Sequence, residues 1–291
     1  MKEKCLYVTC FDEKIFNITG KECISSFLNS RVEGDLLLAY EGGAVVKEQV
    51  LTFLQTCDAQ TECKVIFHDL DANELLNSVL EQNADVIPED YGGTNSDMNR
   101  GSVPESRLTS LGAKKYFLYR ASKWWRVFAA LDAAAKQPVY DYVVQIDADV
   151  VFVKAISLQK IQTEMSDNAI IFHEGEFRRN KVEEGLVGIG VETSFTAYSK
   201  KNGGYDIIFK LMNKLTSKQF RNHERWDDSF LLSHIIHNEV DFKCRDLITD
   251  QNQDTNVVER GPFKDYILHF KGMNGGAHEG IRKYNNYIAN K

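Results

Sequence analysis

The stretch Tyr140 to Val153, YDYVVQIDADVVFV, constrains this chain more than any other. A near-continuous apolar run of that length is the pattern of a strand buried on both faces of a mostly parallel sheet, and two carboxylates, Asp147 and Asp149, interrupt it. Residues two apart on a strand point to the same side, so the pattern predicts two anions facing one way. Such a pair repels itself and loses hydration unless a divalent cation neutralises it at the strand's end. The spacing therefore predicts a metal site. A solvated Asp-x-Asp turn after a strand is the plainer alternative, against which Val150, Val151, Phe152 and Val153 resume the apolar pattern at once.

Upstream, strands alternate with helices. Leu6 to Cys10 and Gly34 to Tyr40 have strand patterns, Lys21 to Leu28 between them has a helical one, and Val45 to Thr56 is helical again. Cys63 to Phe67 predicts a third strand and Asn73 to Glu81 a third helix. Helices of this length between strands imply right-handed crossovers and a parallel sheet, with ligands bound at the carboxyl ends of the strands.

Asn83 to Lys114 breaks the alternation. It lacks periodicity and contains Pro88, Gly92, Gly93, Gly101, Pro104 and Gly112, the pattern of a functional or mobile loop. Tyr116 to Lys136 then predicts a helix whose apolar stripe is Phe117, Trp124, Val127, Phe128 and Leu131. Lys123 and Arg126 sit beside that stripe, three residues apart and on neighbouring surface. Because the helix leads into the Asp147 and Asp149 segment, the two cations are either solvated or turned toward the same cleft.

After the acidic segment, Ala169 to Phe172 and Gly185 to Val191 are predicted strands, the second with a G-x-x-G-x-G order that is not a dinucleotide fingerprint. Tyr205 to Leu215 and Trp226 to His237 are predicted helices, and Asp227 and Asp228 near the start of the latter complement its dipole or serve a site. His234 and His237 lie three apart on it, a spacing that permits a metal pair but more often marks ordinary histidines. Tyr266 to Phe270 reads as a last strand, followed by a Gly- and His-rich tail.

Composition bounds the function. With 291 residues, 43% hydrophobic and 26% charged, the chain has enough apolar material for one large core or two fused halves. A net charge of -7 with no Lys/Arg block argues against nucleic acid as a partner. No run of 18 apolar residues occurs, so no transmembrane segment is expected. The opening MKEKCLYVTCFDEK turns polar after Cys10, too soon for a signal-peptide core, which points to a cytoplasmic location. The six cysteines form no Cys-x-x-Cys pair and read as free thiols, and the Asn17-Ile18-Thr19 sequon would lie idle without secretion.

Taken together, the βαβ opening, Asp147-Ala148-Asp149 after an apolar strand, and His269-Phe270-Lys271-Gly272 near the C-terminus resemble the GT-A fold glycosyltransferases, and most closely the glycogenin and lipopolysaccharide galactosyltransferase family. The resemblance spans essentially the whole chain. It implies an α/β fold, a Rossmann-like, mostly parallel central sheet flanked by helices, in one domain over 1–291. Residues 1–153 form a nucleotide-sugar-binding half ending at the D-x-D, and 154–291 an acceptor-binding half. The activity implied is transfer of a hexose from a nucleotide-diphosphate sugar, a UDP-sugar as the class expectation, to a hydroxyl acceptor on a glycan, a lipid-linked sugar or a protein.

Site residues carry over position by position. The resemblance implies Asp147, Asp149 and His269 as ligands of Mn²⁺ or Mg²⁺, with imidazole favouring Mn²⁺. It places Thr9, Cys10 and Phe11 at the nucleobase and Lys123 or Arg126 on the donor. Lys271 and Gly272 belong to the H-x-x-G, and Gly275 stands where the family has a lysine, which Lys271, Arg282 or Lys283 would replace. Lys123 and Lys271 would stabilise the departing diphosphate, a role electrostatics demands of cations there. Asp228, in WDDSFLL, is the candidate acceptor-side carboxylate, a general base in an inverting enzyme or a positioning group in a retaining one. A haloacid-dehalogenase-type phosphatase would instead carry its nucleophile on the first strand, and a nucleotidyltransferase would want a glycine-rich basic loop where Phe11-Asp12-Glu13-Lys14 stands. A carbohydrate or sugar-nucleotide binder without catalysis is the remaining alternative.

Overall fold

The computed structural model describes residues 3–57, 63–83, 125–175, 190–223, 228–248, 258, 260–270 and 278–290, with side chains in the last helix described from residue 282. Strand β1 (Cys5–Phe11) runs into a helical turn α1 (Glu13–Ile15) that widens through Phe16–Gly20 into helix α2 (Lys21–Asn29). Asp12 starts this turn, its carboxylate accepting from the Ile15 N–H at 2.8 Å. Then follow β2 (Asp35–Tyr40), α3 (Gly43–Thr56), β3 (Val65–Asp69) and α4 (Glu74–Gln82), the last capped by the Asn73 side chain.

Helix α5 spans 125–135. It is followed by β4 (Tyr142–Ile146), β5 (Val150–Phe152), α6 (Leu158–Met165), β6 (Ile170–His173), β7 (Glu192–Ser199), α7 (Gly204–Thr216), a 3-10 turn over Gln219–Asn222, α8 (Asp228–Asn238), β8 (Cys244–Asp246), β9 (Ile267–His269) and α9 (His278–Ala289). Seven strands form one sheet in the order β3-β2-β1-β4-β7-β6-β8, and β5 with β9 forms a small second sheet. In the large sheet β7 alone runs against its neighbours, antiparallel to both β4 and β6. The other pairs are parallel.

The alternation of strand side chains divides the core into two layers. On one face Leu6, Val8, Leu37, Ala39 and Val143 meet α4, α5, α7 and α8 through residues such as Leu76, Phe128, Ile208 and Leu232. On the other, Tyr7, Phe11, Leu36, Leu38, Val144 and Ile146 meet α2, α3, α6 and the small sheet through Phe27, Val50, Ile161, Phe152 and Ile267. Close approach of α7 to the sheet depends on Gly204, where a Cβ would lie 2.2 Å from the Ala169 carbonyl oxygen and 2.6 Å from the Ser199 nitrogen.

The expected boundaries agree with the observed ones to within a few residues for β1 to β3, α2 to α4, β6, α7 and β9. Three expectations change. Tyr140 to Val153 is not one strand: β4 ends at Ile146, the Val150 N–H donates to the Asp147 carbonyl at 3.1 Å to close a turn, and β5 leaves for the second sheet. Burial on both faces is common to a strand and to a strand-turn-strand path, so hydrophobicity did not separate them. The polar strand ETSFTAYS, β7, was not anticipated, yet all eight of its residues are buried because it lies between β4 and β6. Within the helix expected at Tyr116 to Lys136, Trp125 is fully buried and meets Phe220 edge-on at 4.8 Å, a role the apolar stripe had not given it. Nearly all of Asn83 to Lys114 lies outside the described residues, as does Gly185 to Val191 apart from Gly190 and Val191, which precede β7 in a bend.

The two sheets are joined by an aromatic cluster and two serines. Tyr7, Phe27 and Phe152 meet edge to face with centroids 5.0, 5.3 and 6.1 Å apart. Ser26 Oγ of α2 accepts from the Phe152 N–H at 3.0 Å, and Ser30 Oγ, just past the helix, donates to the Phe152 carbonyl at 2.9 Å. Phe152→Ala is expected to cost about 3–5 kcal/mol through cavity formation. Urea unfolding measures this, and a loss under about 1 kcal/mol would show that another contact holds β5 in place.

Candidate metal centre

Two sheets deliver the site. The Asp147 N–H donates to the Ser194 carbonyl at 3.1 Å, fixing one end of the turn to β7, and the Phe270 N–H donates to the Asp149 carbonyl at 3.0 Å, fixing the other end to β9. Pairing of Val150 with His269 across the small sheet brings the histidine alongside. Consequently one ligand atom from each of Asp147, Asp149 and His269 lies within 4.8 Å of the other two, and His269 Nε2 stands 3.4 Å from Asp149 Oδ1. Ser194 Oγ lies 3.4 Å from His269 Nδ1 and orients the ring so that Nε2 faces the carboxylates.

Negative charge accumulates around this group. Burial, then the neighbouring Asp149 charge, push the Asp147 carboxyl well above the usual carboxylate range; Asp228 and Glu192 act in the same direction and His269 opposes them. Burial works against protonation of His269, but the charge and hydrogen bond of Asp149 outweigh it and raise the imidazole above its ordinary value. A divalent cation relieves both stresses. The donor set, two carboxylates and an imidazole, fits Mn²⁺ or Mg²⁺ with oxygen ligands to complete the shell.

Asp228 opens α8 nearby and is buried. Its Oδ2 accepts from Thr193 Oγ1 at 3.0 Å and its Oδ1 from the Ser229 N–H at 2.8 Å, which fixes the carboxylate at the helix start. Arg126 forms an ion pair of 2.8 Å with Glu41, just past β2, and both charges act on the Cys10 thiol at the end of β1. Burial is the main reason that this thiol is raised. Thr9 and Phe11 are fully buried, Phe11 stacked on Phe16 at 5.5 Å, so Cys10 is the one of the three with exposed surface. Lys123, Lys271 and Gly272 lie outside the described residues, as do Asp227 and Gly275.

Sequence reasoning had not picked out Glu192, Thr193 and Ser194, which reach the site because β7 begins beside the carboxyl end of β4, against which it runs antiparallel. A carboxylate and two hydroxyls in a row at a strand start were the available signal. The C-terminal tail does fold back: on α9, Lys283 Nζ donates to the His269 carbonyl at 3.4 Å, while Tyr284 and Tyr287 pack on Phe270 at 5.2 and 5.7 Å. Arg282 on the same helix is exposed. The His234 and His237 pair diverges, His237 bonding Glu174 at 2.7 Å and His234 facing Glu239 at 3.0 Å.

The raised His269 and Asp147 values fix the sign of a pH dependence. In the folded state both groups keep a proton that the unfolded chain releases earlier, so their contribution to stability is present at low pH and lost as pH rises. In EDTA, Tm is expected to fall from about pH 5 to about pH 8, and to fall less in His269→Gln. Scanning calorimetry measures both slopes, and equal slopes would mean that His269 does not carry the effect. Mn²⁺ at the upper pH should restore Tm.

No family model matches the sequence, and no curated protein matches it. Solved structures do. Mouse xyloside xylosyltransferase 1 in its apo form aligns over 84% of this chain and 85% of its own with a TM-score of 0.51 at 14% identity. The galactosyltransferase LgtC, in complex with donor and acceptor sugar analogues, aligns over 78% of this chain and 69% of its own with a TM-score of 0.45 at 14% identity. The glycosyltransferase GlyE of Streptococcus pneumoniae TIGR4 aligns over 84% of this chain and 45% of its own, with a TM-score of 0.41 at 12% identity. The chain has the GT-A fold of the glycosyltransferases.

Proposed function

We propose that this chain is a metal-dependent glycosyltransferase that moves a hexose from a nucleotide-diphosphate sugar, a UDP-sugar by class expectation, to a hydroxyl acceptor. One observation carries the reading: Asp147, Asp149 and His269, from the middle and the end of the sequence, converge within 4.8 Å at the carboxyl end of β4. Parallel α/β sheets place ligand chemistry at that end.

Asp147, Asp149 and His269 would hold Mn²⁺, which supplies positive charge to the donor's diphosphate as it departs. Cys10 and Arg126 lie along the same strand ends, where the nucleotide would bind, with Arg126 oriented by Glu41. Lys123 and Lys271 complete the cationic set in this reading. On the acceptor side, the buried, doubly hydrogen-bonded Asp228 would orient the attacking hydroxyl, and in an inverting reaction would take its proton. All six cysteines are free, which supports a reducing compartment and the proposal of a cytoplasmic location. No helix among the described residues is long and apolar enough to cross a membrane.

The test is a screen of nucleotide sugars for metal-dependent hydrolysis and transfer. One sugar donor should be turned over with Mn²⁺ and not with EDTA. Asp149→Asn should lower kcat by roughly 100-fold or more, the scale of losing one electrostatic contact to a developing charge. Asp228→Asn should lower transfer to the acceptor more than it lowers Mn²⁺-dependent donor binding. Donor binding without turnover of any nucleotide sugar would identify a binding protein instead, and turnover unaffected by Asp149→Asn would remove the metal from the mechanism.

A further inference from the structure

A second set of metal-ligating side chains converges where α7, the 3-10 turn and α8 meet. His223 follows the turn, His234 lies on α8, and Glu239 sits just past its end. One ligand atom of each lies within 4.8 Å of the other two. The chain is fixed at both flanks, the His223 N–H donating to the Phe220 carbonyl and the Glu239 N–H to the Ile235 carbonyl, each at 3.0 Å. The two imidazole rings stand 4.3 Å apart, and Phe230 flanks them at 5.9 and 6.2 Å.

These ligands already hold a cation. Lys214, buried on α7, reaches in with Nζ 2.6 Å from Glu239 Oε1 and 3.4 Å from His223 Nε2. An imidazole nitrogen this close to an ammonium presents its lone pair, which is the form that binds metal. Burial, and then the neighbouring His234 and Lys214, lower His223 from its ordinary value and keep it neutral. An ammonium on a flexible four-carbon stem is the kind of cation that can swing out of such a site.

We propose that His223, His234 and Glu239 form a second metal site, selective for a borderline divalent cation such as Zn²⁺, in which the metal and the Lys214 ammonium compete for the same ligands. Two imidazoles and one carboxylate suit Zn²⁺, with water as the fourth ligand, whereas the oxygen-rich first site suits Mn²⁺ or Mg²⁺. The site stands apart from the glycosyl-transfer reading. Its effect would nevertheless reach that region, because α8 carries Asp228 about 9 Å along its axis from His234. A bound metal would tie the far end of this helix to the segment that follows the 3-10 turn, in place of its Lys214 link to α7.

Equilibrium dialysis of the full chain against Zn²⁺ tests the site, with His234→Ala, His223→Ala, Lys214→Met and Asp149→Ala as variants. Wild type is expected to retain one more equivalent than either histidine variant, and Asp149→Ala to keep that equivalent, which separates this site from the first. Zn²⁺ should raise Tm of Asp149→Ala and of wild type, but raise it less in His234→Ala. Identical stoichiometry and melting gain in the histidine variants and wild type would overturn the proposal. Where a histidine variant fails to fold, Lys214→Met decides. Removing the competing ammonium should tighten Zn²⁺ binding about tenfold or more, and unchanged or weaker binding would overturn the shared-ligand arrangement.

Discussion

Repulsion among carboxylates at the carboxyl end of β4 is the constraint on which the rest of this structure turns. Asp147 and Asp149 would not remain together in an apolar setting without compensation, and the fold supplies part of it by bringing His269 to 3.4 Å. Glu192 and Asp228 add like charge rather than relieve it. A site assembled with this surplus of negative charge is prepared for a cation, and with it for the phosphate oxygens that complete a cation's shell.

Positional precision comes from backbone rather than from side chains. The turn carrying Asp147 and Asp149 is pinned at one end by β7 and at the other beside β9, and β5 behind it is held by Ser26 of α2 and by Ser30 just past its end. Both candidate carboxylates thus sit between rigid elements, which limits their freedom to separate. The geometry that a ligand set needs is built before the ligand arrives.

Much of this was legible in the sequence. Short apolar runs marked β1 to β3, whose side chains alternate between the two core layers, and helical apolar spacing marked α2 to α4, each of which packs one face on a single layer. Asp147, Asp149 and His269 were found through residue chemistry and a family resemblance, and the fold brings them together. The missed parts share a physical cause. Strand β7 is polar in sequence and buried in fact, since its environment is set by β4 and β6, which are distant along the chain. The break after Ile146 rests on a hydrogen bond from Val150 to Asp147 that leaves no trace in hydrophobicity. His223 meets His234 and Glu239 only because the 3-10 turn folds back on α8.

The pairing of β5 with β9 also governs when the site can exist. Parallel strands β1 to β4 and their helices are encoded in the first half of the chain and can associate during synthesis, but β9 arrives more than a hundred residues after Asp149. Until then the two carboxylates have neither the histidine nor the strand that holds their turn. In the proposed reading, metal binding would therefore be a late event in the life of each molecule, coupled to closure of a long-range contact, which loop entropy makes slow to form. A partly made chain would have the large sheet without the complete candidate site. Occupancy of this candidate site by a metal would thus mark the molecules in which β5 and β9 have met.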